Sequence, residues 1–185
     1  MTVPIQACIG LGANIGHPAA AVRTAIAALA ELPDTRVLAS SRLYRTPAWG
    51  GVSQPDYVNA AVLLETRLSP EALLHELLSI ERRAGRLRTA ETASVKWGPR
   101  ALDLDLLLYG NHAIHQAGLR VPHPYLHERA FALVPLAEIA PDMVIPGHGM
   151  VVEALRRVDA EGIVPLLPAA LGVDADTLPR RGDAG

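Results

Sequence analysis

The most informative stretch of the chain is KWGPRALDLDLLLY, residues 96–109. From residue 102 onward leucines alternate with aspartates, and this alternation is typical of a β-strand because successive side chains leave opposite faces. One face then carries Leu102, Leu104, Leu106 and Leu108. Asp103 and Asp105 share the other face, so the stretch predicts a strand that is buried on one side and acidic on the other.

The spacing of the two aspartates suits a bound cation. Carboxylates at i and i+2 of one strand lie about 7 Å apart along the backbone, and their oxygens can converge on the same hard cations. Without a cation the pair would repel. Magnesium is the natural candidate because it completes its octahedron with water and phosphate oxygens, and the guanidinium of Arg100 suits phosphate. The alternative is a solvated strand face, but the preceding Trp97 and Gly-Pro turn favour the metal site.

Composition indicates one domain in a reducing compartment. A chain of 185 residues that is 50% hydrophobic is long enough to bury one sizeable core. Its formal net charge of −2 argues against a generally cationic nucleic-acid surface. Cys8 is the only cysteine, so no internal disulfide can form, and no apolar run approaches the ~20 residues that cross a bilayer. We therefore expect a cytoplasmic protein without nucleic-acid or membrane partners.

Apolar periodicity and turn residues predict the order strand, helix, strand, strand, helix, strand. The predicted ranges are 3–11, 18–31, 35–45, 57–66, 70–85 and a strand from residue 102. This order is typical of the ferredoxin-like split βαβ arrangement. We therefore predict an α+β fold, with helices packed on a mainly antiparallel sheet in a single three-layer domain.

The C-terminal third of the chain gives weaker signals. It suggests a hairpin after Asn111, a helix that opens within residues 127–131 and stops before Pro141, and a further helix over 150–159. From Pro165 onward Pro, Gly, Asp and Ala dominate. We place the domain at residues 1–164 and expect residues 165–185 to form a mobile extension.

Two loops have competing interpretations. Residues 10–16, GLGANIG, resemble a dinucleotide loop, but the third glycine comes one place late, so a tight strand-to-helix turn is favoured. Residues 46–56 are longer than a hairpin needs, and long loops in compact domains are usually functional or disordered. Trp49 in that loop is either a functional contact or a plug over the core.

Basic side chains suggest that a phosphorylated ligand is enclosed. Arg86 and Arg88 lie beyond the second helix and lead toward Lys96 and Arg100, which favours a flexible cationic lid over a solvated loop. His123 lies between two prolines, so it is held rigidly and is a candidate phosphate contact. Residues alone therefore lead to a magnesium site for a polyphosphate.

Several motifs, in one order along the chain, resemble a known family. They are KWGPRALDLDLL at 96–107, YRTP at 44–47, QPDYVNAA at 54–61 and VPHP at 121–124. Together they resemble the 6-hydroxymethyl-7,8-dihydropterin pyrophosphokinases of folate biosynthesis, over roughly residues 5–160. The resemblance implies an ATP-dependent diphosphotransferase, expected to be a monomer, that moves the β,γ-diphosphate of ATP to the pterin hydroxymethyl group and releases AMP.

The resemblance also implies roles for individual residues. Asp103 and Asp105 would bind two magnesium ions, Arg86 and Arg100 would hold the transferred phosphates, Arg88 and Trp97 would belong to the closing loop, and His123 would contact the triphosphate. Tyr57 and Phe131 would stack on the pterin, while Asn59 and the backbone around Thr46, Pro47 and Trp49 would read its polar edge. Glu81, Lys96, Leu106 and Arg129 would contact the nucleotide.

Two departures from the family pattern affect the lid and one phosphate contact. Residues 89–95 look longer and less basic than the lid of well-known members, and Leu78 stands where some members carry Gln.

Two other functions would use the same sequence features differently. A glycosyltransferase would need a nucleotide-sugar domain that this pattern does not supply, and a non-catalytic ferredoxin-like binding module would keep its binding activity without the aspartates.

Overall fold

The computed structural model describes residues 3–47, 55–85 and 101–167. The strands are β1 Ile5–Ala13, β2 Thr35–Ser40, β3 Tyr44–Thr46, β4 Tyr57–Thr66, β5 Asp103–Tyr109, β6 Ile114–Gln116, β7 Leu119–Val121, β8 Val144–Ile145, β9 Gly149–Met150 and β10 Val164–Pro165. The helices are α1 Pro18–Ala30, α2 Pro70–Arg83, α3 Ala130–Ile139 and α4 Val151–Leu155, with a 3₁₀ turn at Leu126–Glu128.

The main sheet has the strand order β10-β3-β4-β1-β5, and β2 also pairs with β4. All its neighbouring strands are antiparallel. The first strand therefore lies between β4 and β5, as the split βαβ order requires, and α1 and α2 are the crossovers. The predicted α+β class with a mainly antiparallel sheet is confirmed.

Helices cover both faces of this sheet. One face packs against α1 and α2, through side chains such as Val22, Leu29, Leu73 and Leu77. The opposite face packs against α3 and α4, through Leu133, Leu136 and Val151. Two apolar clusters result, one in each helix-to-sheet interface, which gives the three layers predicted from the sequence.

The start of α2 follows from its sequence. Ser69 precedes the helix in an extended conformation, and its Oγ accepts a hydrogen bond of 3.2 Å from the Ala72 N–H. Pro70 occupies the first helical position, where its missing N–H costs nothing. The predicted cap is therefore present, and it fixes where the chain leaves β4 and re-enters a helix.

The predicted strand over 35–45 is wrong as a single element, because it is broken into β2 and β3. At the break, Ser41 binds β4 twice: its N–H donates to the Ala61 carbonyl and its Oγ accepts from the Ala61 N–H, both at 2.9 Å. The Arg42 N–H then turns to the Glu138 carboxylate of α3. These partners are distant in sequence, so the local pattern did not indicate the break.

The leucine face predicted for β5 is correct only as far as Leu106. The pairing with β1 shifts between Cys8 and Ile9, which leaves Leu107 as a bulge residue opposite no partner. As a result Leu107 and Leu108 both pack under α3, while Leu106 stays on the α1 and α2 face. Leu108 was therefore assigned to the wrong face.

The ordered fold continues past the predicted boundary at residue 164. Pro165 pairs with Tyr44, and the Leu166 N–H donates to the Leu43 carbonyl at 2.8 Å. The helix predicted over 150–159 is shorter and ends at Leu155, and the β8–β9 pair was not predicted. Residues 168–185, expected to be mobile, lie outside the described residues.

Within the described ranges, no helix combines the length and the apolarity needed to cross a membrane.

Candidate active site

A cavity of about 340 Å³ lies on the α3 side of the sheet. Strands β1, β3, β4 and β5 form its floor and one wall, and the turn before α3 together with the start of α3 forms the other. Its lining is Gly10, Leu11, Gly12, Thr46, Pro47, Tyr57, Asn59, Ala60, Asp103, Asp105, Leu107, His123, Tyr125, Arg129, Phe131 and Ala132. A cavity of this size is typical of small-molecule sites.

The floor is formed by two glycines of β1. Gly10 pairs with Asp105 and Gly12 pairs with Asp103. A Cβ atom at Gly12 would lie 2.6 Å from Oδ1 of Asn59, and one at Gly10 would lie 3.1 Å from the Leu107 side chain. The interpretation of these two glycines as a tight turn is therefore wrong: they lie inside a strand, and their missing side chains leave room for Asn59 and Leu107.

The two aspartates are at one end of the cavity. Both leave β5 on the same face and line the cavity, as the alternation predicted. The Asp105 side chain is 38% exposed, and its Oδ1 lies 3.8 Å from Nε2 of His123. Within residues 3–47, 55–85 and 101–167, no three His, Cys, Asp or Glu side chains are grouped so that they could hold a metal ion. The oxygen donors of two carboxylates can hold a hard cation that also takes ligands from substrate and water.

His123 and Arg129 continue from Asp105 along the wall. The His123 N–H donates to the Leu107 carbonyl at 2.9 Å, which fixes the turn to β5 just beyond the aspartates. Nη1 of Arg129 lies 3.3 Å from Nδ1 of His123. The Arg129 guanidinium also lies 5.8 Å from the centre of the Phe131 ring, within reach of a cation–π contact. This end of the cavity therefore places two carboxylates beside an imidazole and a guanidinium group.

The other end of the cavity carries a buried amide. Nδ2 of Asn59 donates to Oγ1 of Thr46 at 2.7 Å, and the two residues are only 7% and 2% exposed. Tyr57 and Phe131 are aromatic residues of the same cavity lining. Because the amide is held by Thr46, this end offers a flat ligand aromatic surfaces and an oriented polar edge.

A hydrogen-bonded cluster holds α3 against β3, the two elements that carry opposite walls. The Glu138 carboxylate accepts a hydrogen bond from Oη of Tyr44 at 2.5 Å and one from Nε of Arg42 at 3.2 Å. Burial, followed by the contact with Glu138, raises the pKa of the Tyr44 hydroxyl, so this group remains a donor at neutral pH. The cluster thus joins α3, which carries Phe131, to β3, which carries Thr46.

Comparison with known proteins shows which family has a sequence like that of this chain. The family model described as 7,8-dihydro-6-hydroxymethylpterin-pyrophosphokinase matches residues 8–141. The chain belongs to this family. The resemblance inferred from the separated motifs is therefore confirmed.

Two relatives support this assignment over nearly their full length. The 2-amino-4-hydroxy-6-hydroxymethyldihydropteridine pyrophosphokinase of Methylorubrum extorquens is 48% identical, over 85% of this chain and 96% of its own. The protein of the same name from Haemophilus influenzae is 40% identical, over 89% of this chain and 99% of its own.

A solved structure supports the fold. The chain resembles the crystal structure of wild-type Plasmodium falciparum HPPK-DHPS with a TM-score of 0.64 and 12% identity. The match covers 85% of this chain and 45% of that one, so the chain spans less than half of that protein. At this identity the likeness concerns the fold alone.

Most of the described site residues expected in a hydroxymethylpterin pyrophosphokinase line this one cavity. They are Thr46, Pro47, Tyr57, Asn59, Asp103, Asp105, His123, Arg129 and Phe131. Six others lie outside the described residues: Trp49, Arg86, Arg88, Lys96, Trp97 and Arg100.

Glu81 and Leu106 do not belong to the cavity lining. Glu81 is 2% exposed, and its Oε1 accepts a hydrogen bond of 2.8 Å from the Leu104 N–H, so it supports the start of β5 from α2. The Leu106 side chain is 4% exposed and packs in the cluster under α1 and α2, on the sheet face away from the cavity. The nucleotide contacts expected of Glu81 and Leu106 stay predictions.

Sequence reasoning missed Gly10, Gly12, Leu107 and Tyr125 as parts of the site. The signal for Tyr125 was present, because it follows the His123-Pro124 pair already singled out. The glycines gave no such signal, since their role depends on Asn59 and on Leu107, which belong to other strands.

Proposed function

We propose that the chain transfers the β,γ-diphosphate of ATP to the hydroxymethyl group of 6-hydroxymethyl-7,8-dihydropterin, with release of AMP, within this cavity. Pyrophosphoryl transfer to hydroxymethyldihydropterin, a step in folate biosynthesis, is the activity of the family to which the chain belongs. The observation that carries the assignment is one cavity lined by two carboxylates, a buried amide oriented by Thr46, and two aromatic rings.

The pterin occupies the amide end in this proposal. Tyr57 and Phe131 stack on its two faces, since aromatic rings favour offset stacking on flat π-systems. Asn59, oriented by Thr46, hydrogen-bonds the polar edge, together with the backbone near Pro47 and Trp49. The reactive hydroxymethyl group then points along the floor toward Asp103 and Asp105.

The nucleotide phosphates occupy the acidic end. Asp103 and Asp105 would hold two magnesium ions, and their hard oxygen donors and partial exposure fit an ion that keeps water and phosphate ligands. When bound, magnesium neutralises phosphate charge and draws the phosphates and the substrate hydroxyl together. His123 and Arg129 contact the phosphate chain. By the family resemblance, Arg86 and Arg100 hold the transferred phosphates, Arg88 and Trp97 belong to the closing loop, and Lys96 contacts the nucleotide.

The chemical step is an in-line displacement. The pterin hydroxyl oxygen forms a bond to the β-phosphorus and releases its proton to water, while the bond from that phosphorus to the α,β-bridging oxygen breaks, so AMP leaves. Such transfers need little covalent help and depend on positioning and charge stabilisation. The chain's own contribution is therefore to hold the hydroxyl and the β-phosphorus in line and to surround the transferred diphosphate with cationic donors.

The test is a product assay with matched variants. The purified chain is mixed with ATP, magnesium and hydroxymethyl-dihydropterin, and the nucleotide product is identified by chromatography. We expect AMP rather than ADP, and we expect turnover to be lost in Asp103→Ala and in Asp105→Asn while the melting temperature stays close to that of the wild type. Asp142→Asn removes an exposed carboxylate outside the cavity and serves as the control.

Two outcomes would contradict the proposal. Full activity in Asp105→Asn would remove the carboxylate pair from the mechanism. Nucleotide or pterin binding without any AMP would favour a non-catalytic binding module. On the same footing we propose that the chain acts in the cytoplasm and that it is a monomer. Sedimentation of the active protein would test the monomeric state.

A further inference from the structure

The Glu138 carboxylate on α3 is held by several donors from the chain segment that leads into β3. Oη of Tyr44 donates to it at 2.5 Å, and Nε of Arg42 donates to it at 3.2 Å. The backbone N–H of Arg42 donates to the same carboxylate at 3.3 and 3.4 Å, and Nη2 of Arg42 donates to Oη of Tyr44 at 3.2 Å. One carboxylate thus binds a phenol, a guanidinium and a backbone N–H. We call these three residues the Glu138 cluster.

The cluster has an exposed part and a buried part. The side chains of Arg42 and Glu138 are 62% and 28% exposed, and ion pairs of this kind contribute only about 0–1 kcal/mol to stability. Tyr44, in contrast, is 5% exposed. Its hydroxyl is the point at which the carboxylate reaches the sheet, and a short hydrogen bond from a hydroxyl to a carboxylate is of the strong, charge-assisted kind. The cluster is therefore better suited to fixing a position than to stabilising the fold.

The position of Tyr44 in the sheet links the cluster to the cavity. Tyr44 pairs with Asn59, and Thr46 pairs with Tyr57. Residues two apart on one strand share a face with the residues directly opposite them, and opposite Cβ atoms lie about 4.5–5.5 Å apart. Tyr44 is therefore a direct cross-strand neighbour of Asn59, on the sheet face that carries the cavity.

The position of Glu138 in α3 links the cluster to the facing wall. Phe131, which lines the cavity, precedes Glu138 by seven residues, so the two lie on the same face of the helix about two turns apart. Pro135 lies between them. Because proline has no N–H, the helical hydrogen bond to the Phe131 carbonyl is missing, and the start of α3 depends more on contacts outside the helix.

We propose that Glu138 is a positioning residue for the pterin, which holds α3 against Tyr44 and so keeps the Phe131 ring and the Asn59 amide at the separation that a pterin fills. This inference rests on the proposed function. None of the three residues of the Glu138 cluster belongs to the cavity lining, so Glu138 acts through Tyr44 and α3 and not by contact with substrate.

Two variants and their combination test the role. Glu138→Gln keeps the size of the side chain and removes its charge, whereas Tyr44→Phe keeps the ring and removes the hydroxyl. The matched control is Glu65→Gln. Glu65 forms an exposed ion pair with Arg36 at 3.0 Å, its side chain is 34% exposed, and it lies at the other end of β4, outside the cavity lining.

Each variant is measured by fluorescence titration with the pterin alone, by steady-state kinetics for both substrates, and by urea unfolding. We expect Glu138→Gln and Tyr44→Phe each to raise the pterin Kd and the pterin KM about fivefold, the loss expected for one hydrogen bond. The KM for ATP and the kcat at saturating substrates should change less than twofold. The double variant should lose about as much as either single variant, because both remove the same contact. Glu65→Gln should behave like the wild type.

Four results would overturn the inference. They are unchanged pterin affinity in both Glu138→Gln and Tyr44→Phe, losses that add in the double variant, an equal loss in Glu65→Gln, and a fall in kcat or ATP affinity as large as the loss of pterin affinity. Lower stability in urea together with unchanged pterin affinity would make the cluster purely structural. Tyr44→Phe, which loses a single oxygen atom, decides the question if Glu138→Gln does not fold. Failure of the proposed function would look different, since the wild type itself would then form no AMP.

Discussion

Substitution of Gly12 by alanine should damage the pterin end of the site through one contact. A Cβ atom at this position would lie 2.6 Å from Oδ1 of Asn59, whereas real contacts of this kind are essentially never below 3.0 Å. Asn59 must therefore move by about 0.4 Å or more. It has little space to do so, because it is 7% exposed and is bonded to Thr46 at 2.7 Å.

The energetic cost follows from the bond that is disturbed. A buried hydrogen bond contributes about 1 kcal/mol, and a buried polar group left without a partner costs about 1–3 kcal/mol. We therefore expect Gly12→Ala to lower the free energy of unfolding by about 1–3 kcal/mol. In the proposed function the Asn59 amide hydrogen-bonds the pterin edge, so we expect its displacement to lower pterin affinity about tenfold, the equivalent of about 1.4 kcal/mol.

Gly10→Ala is the matched control. It lies in the same strand and on the same cavity floor, but its Cβ would meet the end of the Leu107 side chain at 3.1 Å, and that side chain can shift slightly. Pterin affinity in Gly10→Ala should change less than threefold. Pterin binding is measured by fluorescence titration without nucleotide, and stability is measured by urea unfolding.

Either of two results would refute the reasoning about Gly12. One is a folded Gly12→Ala protein that binds pterin as tightly as the wild type. The other is an equally large pterin loss in Gly10→Ala, which would show that any added methyl group on the floor is damaging and that the Asn59 amide has no special part.

Three further predictions follow from contacts in the structure. Phe131→Ala should weaken pterin binding by about 1–3 kcal/mol, through loss of a stacking wall, and unaltered affinity in the fluorescence titration would place the ring elsewhere. Glu81→Ala should lower the free energy of unfolding by about 1–3 kcal/mol, because the buried Leu104 N–H loses its acceptor. Glu81→Gln keeps an acceptor, so its free energy of unfolding should fall less. A larger effect on nucleotide affinity than on urea unfolding would contradict this. Cys8 should resist iodoacetamide at pH 8 until denaturant is added, since burial raises the pKa of its thiol to about 12, and mass spectrometry would detect early labelling. The same shift favours the neutral thiol in the folded state, so its stabilising contribution is present below pH 9 and declines as the pH rises toward 12.

The sequence predicted the elements whose signals are local. Strand β4 has the predicted range of residues 57–66, and α2 begins at the predicted Ser69 cap. The break at Ser41 was missed because it depends on hydrogen bonds to Ala61 and Glu138, which a local pattern does not contain. Periodicity describes how a segment presents its faces, whereas a break between two strands is set by partners elsewhere in the chain.

The acidic end of the site was predictable for the same reason, and the floor was not. Asp103 and Asp105 were placed together by the period of a strand, which needs no knowledge of the rest of the fold. Gly12 was interpreted from the local motif as part of a turn, yet it is a glycine because Asn59 of the neighbouring strand lies over it. Absence of a side chain carries no periodic signal, so its reason becomes visible only when the strands are paired.

The bulge at Leu107 determines where the site ends and the core begins on this sheet face. Before the bulge, β5 directs Asp103 and Asp105 into the cavity; after it, two consecutive leucines pack under α3, and Tyr109 is turned to the opposite face, where its Oη donates to the Leu68 carbonyl at 2.6 Å. Regular alternation would have put Leu108 on the face covered by α1 and α2 and Tyr109 beneath α3. The extra residue thus lets one strand supply two carboxylates to the cavity and a dry apolar surface beside them.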